Sequence, residues 1–312
     1  MVPATFSSPP IVLMAAPRSC AHLLQRALAG HPVIAFAAPF DFLVDAIRRD
    51  GRFMKAEAFA RVAERNGAVD RLGLVVPRGP GFADIARHLL GQIASKKPAA
   101  HIVGITLQRG ADRALWLWPD ARFIHFVRDG RDVAAAEVAA GWSGNLWHGI
   151  AHWIATEQLW ERMANKLPAD RQISISFELL RAEPENQLRR ICAFLGLAFD
   201  PGMLKAFESP PPSSGRWRKA PAAELSAAEH AAARGLLQNG YLLSGTVRPP
   251  GAFRRILLRA NRRAAIAAKR RELFGLRGWL VIAARELFQS NEPRERRIRR
   301  ESELFERDWD WA

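Results

Sequence analysis

The run Ile11–Ala15, five apolar residues in succession, constrains this chain more than any other feature. An uninterrupted apolar run of that length is the pattern of a strand buried on both faces. It is followed by Ala16-Pro17-Arg18-Ser19 and then by Leu23, Leu24, Ala27 and Leu28 at helical spacing, ending at Gly30. A strand covered on both faces needs helices above and below it. The expected fold is therefore α/β, with a central, mainly parallel sheet flanked by helices.

The same strand, loop and helix order recurs further on. Arg122–Val127 is the clearest strand; it runs into Arg128-Asp129-Gly130-Arg131-Asp132 and a helix over about 133–140. The spacing predicts further helices over 40–49, 55–66, 82–95, 112–118, 146–165, 184–195 and 226–238, with strands at 102–106 and 172–176. Ligands of parallel sheets bind beyond the carboxyl ends of the strands, where helix N-termini present free N–H groups. Loops 16–22 and 128–132 are thus the candidate site, and each places an arginine at a strand exit. A loop at 208–221 carries Gly215-Arg216-Trp217-Arg218-Lys219, and 239–250 reads as a linker.

Charge points the same way. There are 46 Lys and Arg against 31 Asp and Glu, a formal +15, so an anionic partner is expected. The excess has two locations. Residues 251–312 hold 16 basic and nine acidic side chains, and 251–271 hold eight basic and no acidic ones. Within that tail Phe253, Ile256, Leu257, Ala260, Ala264 and Ala267 form an apolar stripe at helical spacing, and 276–287, with Trp279, continues it. Two readings of this basic amphipathic helix stand side by side: 251–290 docks on an anionic membrane surface, or the helix packs on the rest of the chain or on a second copy. No nucleic-acid motif accompanies the charge. The expected division is a domain at 1–249 and a helical tail at 250–312.

Cys20 and Cys192 are too few for a disulfide framework and have no metal-ligand spacing, so neither a structural disulfide nor a metal is expected. No apolar run approaches the roughly 20 residues of a membrane span. Cytoplasmic residence, with peripheral attachment at the inner face of the membrane as its variant, is the expectation.

Four stretches carry a family resemblance. Ala16-Pro17-Arg18-Ser19, with Leu23-Leu24 and His31-Pro32, is similar to the opening loop of sulfotransferases that use PAPS (3′-phosphoadenosine 5′-phosphosulfate), in bacterial relatives a P-R-S-G-T-T-L-L pattern on a P-loop-like fold. Residues 121–134, with Arg128, resemble the second donor motif. Phe177-Glu178-Leu179-Leu180, Glu183-Pro184 and Phe194-Leu195-Gly196-Leu197 resemble the family's C-terminal stretch, and Gly215-Arg216-Trp217-Arg218 its late basic loop. The resemblance implies a transferase that moves a sulfuryl group from PAPS to a hydroxyl or amine of a glycan, lipid or small-molecule acceptor, releasing PAP (3′-phosphoadenosine 5′-phosphate), without a metal. It implies that Arg18, Ser19, Cys20, Ala21, His22 and Leu23 line the 5′-phosphosulfate, and that Arg128, the position of Ala136, Arg216 and Trp217 line the nucleotide's 3′ side.

The chain departs from the family pattern at defined places. Cys20-Ala21-His22 stands where the family has Gly-Thr-Thr, and Ala136 where it has a serine. Ala38 replaces a glutamate that serves relatives as general base, and the family's lysine near the third strand has no counterpart around Gly104-Ile105-Thr106. His22 and Asp41 are the remaining catalytic candidates; a first-turn histidine and a helix-capping aspartate are their plain alternatives. A fold that kept nucleotide binding and lost the reaction, serving as a scaffold, is the second functional reading.

Overall fold

The computed structural model describes residues 6, 8–37, 39–79, 81–209, 214–245 and 247–288, with side chains through 276. Ala38 and the segments 210–213 and 289–312 lie outside the described residues, as do the side chains of Trp279 and of the rest of the predicted second apolar segment.

The chain opens with β1 (Ile11–Ala15), α1 (Ala21–Gly30), β2 (Ile34–Ala37) and four helices, α2 (Asp41–Asp45), α3 (Ala56–Ala63), α4 (Gly67–Arg71) and α5 (Phe82–Ser95). It continues through β3 (Ile102–Leu107), β4 (Arg122–Val127), α6 (Gly130–Ala139), α7 (Leu146–Gly149) and α8 (Ala151–Ala164). Last come β5 (Gln172–Ser176), α9 (Phe177–Ala182), α10 (Pro184–Leu195), α11 (Ala222–Gln238) and α12 (Ala252–Phe288). By packing, residues 1–128 with 156–213 form one compact unit, and 129–155 with 214–312 form a second.

The first unit is the α/β body. Its five strands are all parallel, in the order β2-β3-β1-β4-β5. β1 is the centre, with Met14 opposite Leu107 on one side and His125 on the other. All five of its residues are buried, which explains the uninterrupted apolar run. One face packs Val12 and Met14 with α2, α3 and α5; the other packs Leu13 and Ala15 with α1 and α10. Because β3 and β4 flank β1 on opposite sides, the order of strands reverses at β1, and the crevice at such a reversal is where ligands of open α/β sheets sit. The loops after β1 and β4 both open there.

The second unit is helical. α6 carries the Asp129 cap, whose side chain accepts from the N–H of Arg131. α7 begins at Asn145, whose Oδ1 accepts from His148 N–H. Asn145 Nδ2 donates to Leu258 O and to Asn261 Oδ1, tying α7 to α12.

Three predicted elements differ. The helix expected over 40–49 stops at Asp45, because Ile47 leaves it to form an antiparallel bridge with Phe53. The segment expected as an α-helix over 112–118 is a 3₁₀-helix at Ala111–Trp116. The helix expected over 146–165 is divided at Ile150, where Gly149 packs so close to Ala134 that a side chain would meet its carbonyl at 2.9 Å. No described helix is long and apolar enough to cross a membrane.

Candidate functional site

The turn after β1 is built in an unusual backbone conformation. Arg18 and Cys20 both have positive φ, 61° and 64°, and neither is a glycine. The left-handed conformation crowds a side chain's Cβ against the following carbonyl, so two such residues within three positions store strain. The twist winds the chain into α1, where Leu23 N–H bonds to Cys20 O. Cys20 is the N-cap and no side chain caps that end. Ser19 lies between the two strained residues, 1% exposed, and its hydroxyl has no hydrogen-bond partner among the described residues. A buried hydroxyl left without a partner is costly, and one aimed into a strained turn at a sheet crevice is a place for a ligand oxygen.

Arg128 closes the other side. It is 2% exposed; its Nη1 lies 2.8 Å from Cys20 Sγ, and its guanidinium rests 4.7 Å over the Phe177 ring. The structure thus brings together the first loop and the second strand-exit arginine. His22, in the first turn of α1, feels Arg128 as well. Burial, then Arg26, then Arg128 hold its pKa below the ordinary histidine value, so at neutral pH the ring is uncharged and able to accept a proton. Ala21 and Leu23 are buried in the α1 core, and Leu23 N–H is already taken up by Cys20 O.

Asp41 has a different use. Buried at the start of α2, it accepts the backbone N–H groups of Gln108 and Arg109 at 2.8 and 3.1 Å and so braces the exit of β3. Burial raises its pKa, and Arg109, 4.0 Å from Oδ2, opposes the rise. Arg109 in turn pairs with Asp45 at 2.6 Å. Sequence reasoning passed over Arg109. Arg109 stands two residues beyond Leu107, the last residue of β3, and is a third arginine at a strand exit. His125, also passed over, is a buried strut: its ring stacks on Trp160 at 4.6 Å and its nitrogens lie 3.2 Å from Glu157 and Ser174.

In the helical unit the basic loop is pinned. Asp132 accepts the N–H groups of Gly215 and Arg216 at 2.7 and 2.8 Å, and the buried Trp217 ring has the guanidiniums of Arg131 at 3.9 Å and Arg218 at 4.5 Å from its centroid. Arg131 is held by Asp129 and Glu229; burial works against its charge, but those carboxylates outweigh burial and raise its pKa. Arg216 itself is exposed and Ala136 is half-buried on α6. Trp118, Trp153 and Trp160 are buried and Trp116 is exposed. No cluster of histidine, cysteine and carboxylate side chains among the described residues could hold a metal ion.

A model of the sulfotransferase family matches residues 9–201, which contain β1, the 16–22 loop, β4 and Arg128. The chain belongs to the sulfotransferase family. The sulfotransferase domain of the Synechococcus PCC 7002 olefin synthase is 19% identical over 83% of this chain and 96% of its own, with a TM-score of 0.52, and shares the fold. A sulfotransferase from Alicyclobacillus acidocaldarius matches at 18% identity over 76% and 98%, with a TM-score of 0.48. Sulfotransferase STF9 from Mycobacterium avium matches at 13% over 76% and 78%, with a TM-score of 0.49. No curated protein matches the sequence significantly. Family membership supports sulfuryl transfer as the general activity.

The strain at Cys20 yields a direct expectation. Cys20→Gly, which restores the family's glycine, relieves the left-handed penalty at the cost of greater freedom in the unfolded chain. The variant should gain roughly 0.5–1 kcal/mol in denaturant unfolding; a loss of stability would show that the contact with Arg128 outweighs the strain.

Proposed function

We propose that this protein is a sulfotransferase that takes the sulfuryl group from PAPS and delivers it to a hydroxyl or amine acceptor of a glycan, lipid or small molecule. The observation that carries this reading is the convergence of Arg128 on the strained 16–22 loop, with the unpartnered Ser19 hydroxyl between Arg18 and Cys20. Two arginines, a buried hydroxyl and the N-terminus of α1 give this turn cationic groups and hydrogen-bond donors. Forked guanidiniums suit phosphate and sulfate oxygens and keep their charge at any physiological pH.

In this mechanism Arg18, the Ser19 hydroxyl and the backbone N–H groups of residues 20–22 hold the 5′-phosphosulfate, and Arg128 holds the 3′-phosphate. The acceptor oxygen or nitrogen attacks sulfur in line, and the bridging bond from sulfur to the phosphate oxygen breaks. PAP leaves with the electron pair. The protein's task is positioning and stabilising charge on the leaving oxygen. Neutral His22 is the group able to take the acceptor's proton. Asp41 acts through the β3 exit, which it braces.

A second reading has its own support. Arg128 is already engaged by Cys20 and Phe177, and the family's glycine and threonines are gone from the loop, as a scaffold that binds nucleotide without turnover would show. Calorimetric titration with PAP, followed by turnover with PAPS over a panel of sugar and lipid acceptors, separates the readings. The enzyme reading expects sub-millimolar PAP affinity that falls at least tenfold in Arg18→Ala and Arg128→Ala, together with sulfated product. Binding without product would support the scaffold; no binding would defeat both.

For the tail we propose attachment to an anionic membrane surface. α12 exposes Phe253, Ile256 and Leu257 at 74%, 61% and 52%, so the predicted stripe faces solvent, with arginines beside it. In flotation the full chain should rise with vesicles containing phosphatidylglycerol at low salt and less at high salt. Replacing Phe253, Ile256 and Leu257 with serine should abolish flotation; vesicle binding that survives those changes would rule the ridge out.

A further inference from the structure

The turn between the bridged residues Ile47 and Phe53 of the α/β body carries Arg48-Arg49-Asp50-Gly51-Arg52. It is closed on itself: Gly51 N–H donates to Arg48 O at 3.0 Å, and Arg48 N–H donates to Arg52 O at 2.9 Å. Gly51 has a φ of 82°, where glycine is favoured, and it has a second reason to lack a side chain. A Cβ there would meet three adjacent atoms of the six-membered ring of Trp116, each at 2.8 Å. Equal distances to three atoms of one ring put that point over the middle of the ring, so one face of the indole lies flat against Gly51. Trp116 is nevertheless 56% exposed, which leaves its other face open to solvent.

The indole is held in place from behind. Trp116 ends the 3₁₀-helix at Ala111–Trp116, and one turn earlier Arg113 Nη1 donates to Val44 O and Ile47 O, both at 3.1 Å, which ties that helix to the start of the turn. At the far end of the turn Phe53 stacks on Phe82 at 5.1 Å. An apolar face that is fixed beforehand loses little freedom when a partner covers it. Beside it the turn offers charge of both signs. The side chains of Arg48 and Arg52 are largely exposed, and Asp50 lies 4.0 and 3.7 Å from their guanidiniums. Ion pairs that long and that exposed are worth little, so a ligand can open them at small cost.

A flat apolar face beside forked donors and a carboxylate has the chemistry that recognises a sugar ring. The C–H bonds on one side of a pyranose carry slight positive charge and settle on the negative face of an aromatic ring. Its hydroxyls donate to a carboxylate and accept from a guanidinium. An anionic lipid surface or a nucleic acid strand would gain from the arginines and be repelled by Asp50 in the middle of the turn, whereas a saccharide uses both signs. Arg48 and Arg52 against one aspartate favour a sugar that bears a carboxylate. We propose that Trp116 and the Arg48–Arg52 turn form a binding surface for an acidic saccharide, such as a uronic acid unit of a glycan. The 3₁₀-helix leads from the exit of β3 toward the start of β4, at the opposite edge of the sheet, and the surface uses neither the 16–22 loop nor Arg128. It is therefore independent of the sulfotransferase reading.

The test is oxidation of the full chain by N-bromosuccinimide, located at Trp116 by tandem mass spectrometry, with unsulfated chondroitin hexasaccharide as the probe. Saturating hexasaccharide should slow oxidation of Trp116 at least threefold and leave the buried Trp153 unaffected. Calorimetric affinity for the same probe should fall roughly tenfold in Trp116→Ala and roughly threefold in Arg52→Ser, an exposed position whose change leaves thermal unfolding as it was. No protection of Trp116, equal protection by neutral maltohexaose or by a single-stranded DNA oligomer of matched charge, or an affinity unchanged in both variants overturns the proposal. The PAP titration fails or succeeds apart from this result.

Discussion

The placement of β1 between β3 and β4 is the constraint on which the candidate site depends. A parallel strand in the middle of a sheet has no solvent face, so its side chains must be apolar throughout and its carboxyl end must open into a crevice. That single requirement explains the Ile11–Ala15 run, the two apolar layers around it, and why the 16–22 loop and Arg128 meet although more than 100 residues separate Cys20 from Arg128. It also explains the tolerated strain. Arg18 and Cys20 can be held at positive φ because the strand before them and α1 after them are buried and leave the turn little alternative.

Much of this was legible before any coordinates. Strands β1, β4 and β5 and helices α5 and α10 follow from apolar runs and helical spacing and are found where expected. The resemblance in loops 16–22 and 121–134 pointed to Arg18 and Arg128, and the structure brings Arg128 against the first of these loops. What stayed hidden depends on tertiary contact. Arg109 pairs with Asp45, 64 residues earlier, a contact that no local pattern encodes. Asp41 looked like a helix cap or a catalytic carboxylate, and its real partners are backbone amides 67 and 68 residues away. The orientation of α12 was equally invisible, because an amphipathic pattern says that two faces differ and leaves open which one packs inward.

The +15 charge divides accordingly. Arg18 and Arg128 stand at strand exits, Arg131 and Arg218 pack on Trp217, Arg262 and Arg270 line a cleft in the helical unit, and others flank an exposed ridge. Net charge alone suggested one anionic partner; in the structure the charge is divided among a strand-exit turn, a loop packed around Trp217, a cleft of the helical unit and an exposed helix face. The departures from the family's loop gain a physical meaning as well. Cys20 replaces a glycine where the backbone is left-handed, and its sulfur meets Arg128. The residue that strains the turn is therefore also the one that touches the second arginine.

In the proposed function the strained loop and Arg128 together form the seat of a doubly anionic nucleotide. Amide hydrogen exchange with and without saturating PAP tests it most directly, because it reads the backbone N–H groups assigned to the ligand. Slowed exchange concentrated at residues 20–22 and around Arg128 is the expected result. Exchange in those segments unchanged by PAP would contradict the claim, whatever happens elsewhere in the chain.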